Sequence, residues 1–259
     1  MLAVLETMVR EAGDISRKYF AAEMRVTEKE DGSPVTNADI EISQYIESTL
    51  RAQFPGIGIL SEEGPQQSDL SDSCWIIDPI DGTSNFISGN PNFSISVALV
   101  VNNESELGIV YTPALGDIYT ASRGKGAFKN TEKIRVSTTK ELASAYILLD
   151  TGTHEESLRI HGALRKALTT LGARAQGNNC ASLDLCRVGE GLADAFIHRG
   201  LKAWDIATGM LIAEEAGAKV TNLQFGKKEL FSSGIIATTP GVYSELETCV
   251  SHTLDELHI

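Results

Sequence analysis

Two aspartates follow an apolar segment and could bind a cation. Residues 75–83 read WIIDPIDGT, so Asp78 and Asp81 stand after an apolar run and flank a proline. Carboxylate oxygens are the ligands that Mg²⁺ prefers, and a buried charge without a cation would be costly. Gly82 and Thr83 then begin a predicted helical turn, whose free N–H groups suit a phosphate. The alternative is a plain strand-to-helix turn, because aspartate and glycine are common turn residues.

Further acidic residues stand at the ends of other predicted elements. Glu62 and Glu63 follow the apolar run 57–60, Asp39 begins a predicted helix, and Asp205 heads another in KAWDIA. Taken singly, the glutamates could be surface charges and the two aspartates could cap helices. Together these positions favour a cluster of carboxylates that holds divalent cations. Such cations would reconcile an acidic protein with an anionic substrate.

Helices and strands in both parts of the chain must position these residues. Apolar residues recur at helical spacing from Leu2 to Tyr19 and again after Asp39, so two helices are predicted to open the chain. Short apolar runs then predict strands, and residues 122–130 predict a hairpin or a wide connection. The C-terminal part alternates strands with helices, which is typical of α/β structure. We therefore predict two parts, 1–140 and 141–259.

The composition argues against several other classes of protein. The chain has 259 residues, with 35 acidic and 22 basic side chains and a net charge of −13, so a nucleic-acid partner is not expected. Its four cysteines show no C-x-x-C spacing, which favours reduced thiols over a zinc site. Neither a signal peptide nor an apolar run of membrane-spanning length is recognisable. A soluble cytoplasmic protein without a membrane partner is expected.

Taken in order, the acidic segments resemble the metal-site signature of the inositol monophosphatase family of lithium-sensitive phosphatases. The resemblance rests on Asp39, Glu62-Glu63, DPIDGT-x-NF at 78–86, and WDIA at 204–207. It extends over nearly the whole chain, from the first helix through RGKGAF to GIIATTP. It implies an α+β fold, a layered α-β-α-β-α sandwich of the inositol monophosphatase and fructose-1,6-bisphosphatase type. A homodimer is also implied.

The resemblance assigns metal ligands position by position. One Mg²⁺ would be bound by Glu62, Asp78 and the backbone carbonyl of Ile80. A second would be bound by Asp78, Asp81 and Asp205, so that Asp78 bridges the two ions. Glu62 could also bind a third, weaker ion, and two or three Mg²⁺ per subunit are therefore implied.

The same resemblance implies how water is activated. Asp39 and Thr83 match the family pair that orients the attacking water and helps to deprotonate it, and Glu62 would join them. A two-metal scheme of this kind needs no protein nucleophile. In agreement, the sequence contains neither a G-x-S-x-G elbow nor a P-loop lysine pattern.

Substrate contacts are implied at the metal centre and at two residues farther along the chain. They are Asp81, Gly82, Thr83, Asp184, His198 and Asp205. Asp184 matches a position where relatives often carry Asp or Asn that can reach a sugar or inositol hydroxyl. His198 falls near the place of a leaving-group contact, although a histidine simply exposed at a strand end is an alternative. Residues 177–182, GNNCAS, differ from the Gly-Ser/Thr-Ala-Ala run of many relatives, so the substrate stays open.

The predicted function is Mg²⁺-dependent hydrolysis of a small phosphate monoester, with inositol monophosphate or a similar sugar or polyol phosphate as the first candidate. The family also contains 3'(2'),5'-bisphosphate nucleotidases, fructose-1,6-bisphosphatases and histidinol-phosphate phosphatases, which are alternatives within the same chemistry. An aromatic content of only 6% offers few groups to stack on a nucleotide base. A catalytically idle binding partner is the non-enzyme alternative.

Overall fold

A computed structural model of the chain describes residues 1–20, 22, 24–29, 32–65, 72–150, 155–232 and 234–259. Its helices are α1 (Leu2–Tyr19), α2 (Asn37–Gln53), α3 (Thr83–Ile87), α4 (Glu155–Thr170), α5 (Ala181–Glu190), α6 (Ala203–Glu215) and α7 (Tyr243–Glu256). Single 3-10 turns lie at Leu142–Ser144 and Pro240–Val242. Within the described ranges, no helix is both long enough and apolar enough to cross a membrane.

The two helices predicted at the start of the chain are confirmed. Leu5, Met8 and Val9 form part of a fully buried stripe on α1, as their helical spacing indicates. A hairpin of β1 (Val26–Glu28) and β2 (Pro34–Thr36) leads into α2. The side chain of Thr36 caps α2 by accepting the N–H groups of Ala38 and Asp39. The start of α2 is therefore fixed next to a predicted site residue.

A seven-stranded sheet forms the centre of the N-terminal part. In spatial order its strands are β3 (Gly58–Ser61), β4 (Ser73–Asp81), β5 (Ser94–Val101), β6 (Glu104–Thr112), β7 (Asp117–Ser122), β8 (Gly126–Lys129) and β9 (Glu132–Lys133). β3 and β4 are parallel, and every later pair is antiparallel. Residues 122–130, predicted as a hairpin or a wide connection, contain a strand of their own, because β8 forms a hairpin with β7 through residues 123–125.

A second sheet of five strands lies in the C-terminal part. Its strands are β10 (Tyr146–Leu149), β11 (Arg174–Gln176), β12 (Ala195–Arg199), β13 (Lys219–Thr221) and β14 (Gly234–Thr238), in the order β11-β10-β12-β14-β13. β10 is parallel to β11 and to β12, whereas β14 is antiparallel to both of its neighbours. The predicted alternation of strands and helices is confirmed here.

The two faces of each sheet pack against different hydrophobic cores. Trp75 and Ile77 of β4 pack with α1 and α2, while Ile76 packs with α5, α6 and the five-stranded sheet. Ile147 and Ile197, on the far face of the second sheet, pack with α4 and α7. The layers therefore follow the order α-β-α-β-α, which confirms the predicted fold. The division into parts 1–140 and 141–259 stays a prediction.

Strand β4 extends beyond the C-terminal end of the apolar segment from which it was predicted. It continues through Pro79, and its register with β5 shifts between Asp78, opposite Ser96, and Asp81, opposite Ser94. Proline has no N–H to donate, so a bulge is where a sheet tolerates it. The two aspartates thus lie within the strand, on a bulge, and not in a turn after it.

Candidate metal centre

Asp78 is buried among other carboxyl groups. Only 1% of its surface is exposed, and its Oδ1 has no hydrogen-bond partner among the described residues. Burial raises the pKa of Asp78 well above its usual range, and the charges of Glu62, Asp81 and Asp205 raise it further. A buried oxygen of this kind is costly without a partner. A proton or a bound cation would therefore stabilise Asp78 in this position.

Asp205 reaches this cluster from the N-terminus of α6. Its Oδ2 accepts the N–H of Lys202 at 2.6 Å, so the helix-capping role considered from the sequence is present. Burial, and then the charge of Asp81, raise the pKa of Asp205 well above its usual range. Capping uses one carboxylate oxygen, which leaves the other for a second role.

Glu62 and Glu63 lie directly after β3, and Lys29 pairs with both. The N–H of Glu62 donates to the carbonyl of Ile77 at 3.1 Å, which fixes this turn beside β4. Lys29 Nζ lies 2.7 Å from Oε1 of Glu62 and 2.6 Å from Oε1 of Glu63. The side chain of Glu63 is only 7% exposed, so the surface-charge interpretation is wrong for it. Lys29 was not predicted, because the sequence shows only a lysine in KEDGSPVT and no sign of its partners.

Asp39 and Thr83 are brought within hydrogen-bonding distance of each other. Thr83 Oγ1 lies 3.0 Å from the carbonyl oxygen of Ile80 and 3.4 Å from Asp39 Oδ1. Asp39 is fully buried, and its Oδ2 accepts the N–H of Thr36 at 2.8 Å and the Thr36 hydroxyl at 2.5 Å. Burial raises the pKa of Asp39 to about 6, against the opposing effect of the Thr36 donors. The carboxylate thus caps α2 with one oxygen and faces Thr83 with the other.

Asp81 is held by the N-terminus of α5. Its Oδ2 accepts the N–H of Ser182 at 2.6 Å and the Ser182 hydroxyl at 2.5 Å, and its Oδ1 accepts the N–H of Ala181 at 3.2 Å. The thiol of Cys180 lies 3.3 Å from Oδ2. Burial raises the pKa of Asp81 to about 6, although these donors favour the charged form. Asp81 therefore joins β4 to the segment around the start of α5.

Gly82 and Asn85 make a second connection to the same segment. Gly82 has φ +86°, and a Cβ there would lie 3.0 Å from the carbonyl oxygens of Asn92 and Asn179, so only glycine fits. Nδ2 of Asn85 donates to the carbonyls of Asn178 at 2.6 Å and Asn92 at 2.7 Å. Asn85 was noticed only as part of the DPIDGT-x-NF segment, and its role as a link was not predicted.

Asp184 lies in a separate buried network. Its Oδ1 accepts Nδ2 of Asn178 at 2.9 Å and Nη1 of Arg187 at 3.1 Å. Burial, and then the charge of Asp150, raise the pKa of Asp184 to about 7. Asp150 in turn accepts the N–H of Asn179 at 2.9 Å. These bonds hold residues 178–179, and a direct substrate contact by Asp184 stays a prediction.

His198 is buried near the end of β12. Only 8% of its surface is exposed, so the alternative of an exposed strand-end histidine is wrong. The ring of His161, from α4, covers it at a centroid distance of 4.9 Å, and Phe196 stacks at 6.1 Å. Burial, and then His161, lower the pKa of His198 to about 3, so its ring is neutral. Its contact with a leaving group stays a prediction.

The chemistry of the carboxylate cluster fits a hard divalent cation. Among the described residues, no three acidic, histidine or cysteine side chains form a ready-made coordination set. The unpaired Oδ1 of Asp78, with Glu62, Asp81 and Asp205 as its electrostatic neighbours, nevertheless supplies oxygen donors and negative charge at one place. Mg²⁺ prefers such oxygen ligands and completes its shell with water, so a partial protein set suffices.

Comparisons with known proteins identify the family of this chain. The family model described as "Inositol monophosphatase family" matches residues 1–257. The Nus factor SuhB of Haemophilus influenzae is 36% identical over 252 residues, covering 95% of this chain and 94% of that protein. The fructose-1,6-bisphosphatase/inositol-1-monophosphatase of Thermotoga maritima is 36% identical over 223 residues, covering 86% and 84%. The solved structure of Thermotoga maritima IMPase has a TM-score of 0.87 and 34% identity, covering 99% of this chain and 98% of that one. The chain therefore belongs to the inositol monophosphatase family.

Proposed function

We propose that the protein hydrolyses the phosphate monoester of a small metabolite with the help of Mg²⁺, inositol monophosphate or a similar polyol phosphate being the first candidate. The observation that carries the proposal is the buried, unpaired Oδ1 of Asp78 beside Glu62, Asp81 and Asp205. Several like charges at one buried place destabilise the folded protein. Bound cations would neutralise this repulsion and form a functional site. The likeness to a relative named for two phosphatase activities supports the same chemistry.

The cations would be held by the carboxylates of Glu62, Asp78, Asp81 and Asp205 and by the carbonyl of Ile80. When bound, Mg²⁺ supplies a lowered pKa for a nearby water and neutralises charge that develops on the phosphate and the leaving oxygen. The protein's own contribution is to fix the donors: the β4 bulge positions Asp78 and Asp81, and α6 brings Asp205 to them.

Asp39 and Thr83 would orient the attacking water. In the proposed reaction the Thr83 hydroxyl would donate its one proton to Asp39, at 3.4 Å, in place of the Ile80 carbonyl, at 3.0 Å, and its lone pairs would then accept a proton of the water. A pKa of about 6 for Asp39 leaves it mostly ionised, yet still a competent base, near neutral pH. Water held by this pair would therefore be both oriented and partly deprotonated.

Substrate selection is assigned to the side of the centre formed by residues 177–184 and β12. Gly82 and Thr83 would contact the phosphate, and Asp184 and His198 would face the alcohol portion. His198 is neutral, so it would recognise a hydroxyl by hydrogen bonding and not by charge.

We expect His198→Ala to change the preference among natural substrates by roughly tenfold, a typical worth of one hydrogen bond, and to change the rate on an aryl phosphate less. Equal losses on all substrates would contradict this role.

The test is phosphate release, measured with and without Mg²⁺, across several substrates. The panel contains inositol 1-phosphate, 3'-phosphoadenosine 5'-phosphate, fructose 1,6-bisphosphate and histidinol phosphate. We expect Mg²⁺-dependent turnover, with a polyol or sugar phosphate preferred. A strong preference for another member of the panel would move the assignment to the corresponding alternative within the family.

The non-enzyme alternative is a binding partner without catalysis. It has one observation in its favour, since several relatives carry the name Nus factor SuhB. The acidic balance of the chain, −13 overall, opposes direct nucleic-acid binding, and every predicted ligand and water-orienting side chain is present. Absence of turnover on every substrate, by folded protein in Mg²⁺, would favour this alternative.

Three further family properties belong to the proposal. We expect a homodimer in light scattering, Li⁺ inhibition of the Mg²⁺-dependent reaction, and a cytoplasmic location. The four cysteines are free and buried, which suits a reducing compartment.

A further inference from the structure

The first turn of α5 is bonded to Asp81 of the candidate metal centre, and the bond belongs to a chain of hydroxyl groups. Ser182 Oγ lies 2.5 Å from Asp81 Oδ2, and Ser94 Oγ lies 2.7 Å from Ser182 Oγ. Ser94 and Ser182 are both fully buried. An ionised carboxylate has no proton to give, so the Ser182 hydroxyl must donate to Asp81 and Ser94 must donate to Ser182. The direction of this chain is thereby fixed.

The two oxygens of Asp81 are used unequally. Oδ2 accepts the N–H and hydroxyl of Ser182 and lies 3.3 Å from the thiol of Cys180, so its acceptor capacity is filled. Oδ1 accepts only the N–H of Ala181, at 3.2 Å, and keeps a lone pair. The donors of Ser182 therefore decide which oxygen of Asp81 stays available to another partner.

We infer that Ser182 is a positioning residue for the metal centre, which anchors Oδ2 of Asp81 so that Oδ1 is the oxygen presented to a cation. The inference rests on the proposed function, because it requires Asp81 to be a ligand.

The same bonds couple cation binding to residues 178–182, which include the end of the preceding loop and the start of α5. Asp81 bonds Ala181 and Ser182, and Asn85 bonds the carbonyl of Asn178, so β4 and α3 hold residues 178–182 from both sides. A cation that fixes Asp81 therefore also fixes these residues, to which the proposed function assigns substrate selection.

The experiment measures Mg²⁺ binding to the full chain by isothermal titration calorimetry, at pH 7.5. Removing a partner that orients a metal ligand typically weakens affinity by about 10–100-fold, and we expect a loss in this range for Ser182→Ala. Ser94→Ala, which acts through Ser182, should give a smaller loss. Ser182→Cys keeps a weak donor and should lie between Ser182→Ala and the wild type.

Ser16→Ala is the matched control. Ser16 is also fully buried with a bonded hydroxyl, 2.8 Å from the Gly13 carbonyl on α1, so its loss tests for a merely structural effect. We expect this variant to lose thermal stability in EDTA and to bind Mg²⁺ like the wild type. A Ser182→Ala protein that binds Mg²⁺ like the wild type would overturn the inference and leave the proposed function intact.

Hydrogen exchange of residues 178–182 supplies a second readout. Mg²⁺ should slow exchange there in the wild type, and this protection should be lost in Ser182→Ala at a Mg²⁺ concentration that saturates both proteins. Equal protection in the two proteins would contradict the coupling. If the wild type itself binds no Mg²⁺, the proposed function fails, and the positioning role fails with it.

Discussion

Two aspartates buried in this molecule have opposite surroundings. Asp194, before β12, is 6% exposed, and its oxygens accept the Ser137 hydroxyl at 2.5 Å and the N–H of Tyr146 at 2.7 Å. Asp78, on the β4 bulge, is 1% exposed, has an unpaired Oδ1 and faces other carboxylates. The two oxygens of Asp194 have hydrogen-bond donors within the protein, whereas Oδ1 of Asp78 has none among the described residues. The difference separates an aspartate that stabilises the fold from one for which we propose a bound cation.

The largest expected effect is that of Asp78→Asn. We expect a loss of turnover of about 10³-fold or more, because the replacement removes the ligand common to both predicted cations. In EDTA the variant should unfold at the same temperature as the wild type or higher, since one of several like charges is gone. Phosphate release and thermal unfolding measure the two effects. Normal turnover by folded Asp78→Asn protein would contradict the metal assignment.

Thr83→Val tests the hydroxyl that faces the centre. The change preserves shape but removes the group between Asp39 and the water, so we expect turnover to fall by roughly 10²–10⁴-fold, while Thr83→Ser keeps most of it. Ser137→Ala removes the corresponding hydroxyl beside Asp194 and serves as the control. It should lower stability and leave the rate of the folded protein near that of the wild type. Equal rate losses in Thr83→Val and Ser137→Ala would show that the Thr83 hydroxyl has no special role in turnover.

Asp194→Asn should have the reverse profile of Asp78→Asn. The replacement weakens bonds to Ser137 and to the N–H of Tyr146, and we expect the free energy of unfolding to fall by about 1–3 kcal/mol. Denaturant unfolding measures this loss. Mg²⁺ binding by the folded variant should be that of the wild type, and a lost Mg²⁺ site would show that Asp194 is not purely structural.

The pH dependence of stability should reveal the carboxyl groups whose pKa is raised by burial. In the folded protein the pKa of Asp39 is raised from 3.8 to about 6 and that of Asp184 to about 7, so the folded state binds these protons more tightly than the unfolded chain. Stability in EDTA is therefore expected to fall as pH rises from about 4 to about 7, by roughly 10 °C or more in Tm. A Tm that rises over this window would contradict the raised pKa values.

Much of the fold followed from local patterns. The helical spacing in α1 and the alternation of strands and helices after residue 140 reflect which side chains face the core. The order of apolar and polar residues along the chain is enough to predict that pattern. The continuation of β4 through Pro79 was not predictable, because it depends on pairing with β5. The residues of one strand do not specify its register with a neighbouring strand.

The candidate site shows the same limit. The spacing of Asp78 and Asp81 was informative, since one strand carries both residues on either side of its bulge. Lys29 and Asn85 were missed as partners because their bonds join segments far apart in the chain, to Glu62 and to Asn178. The burial of His198 likewise depends on the helix that covers it.

The central claim is that the Asp78 cluster is a cation site and that the surroundings of Asp194 are not. Isothermal titration of Mg²⁺ into the wild type, Asp78→Asn and Asp194→Asn tests it most directly. The account predicts binding by the wild type and by Asp194→Asn, and weakened or absent binding by Asp78→Asn. Mg²⁺ binding by folded Asp78→Asn protein with the stoichiometry and affinity of the wild type would contradict it.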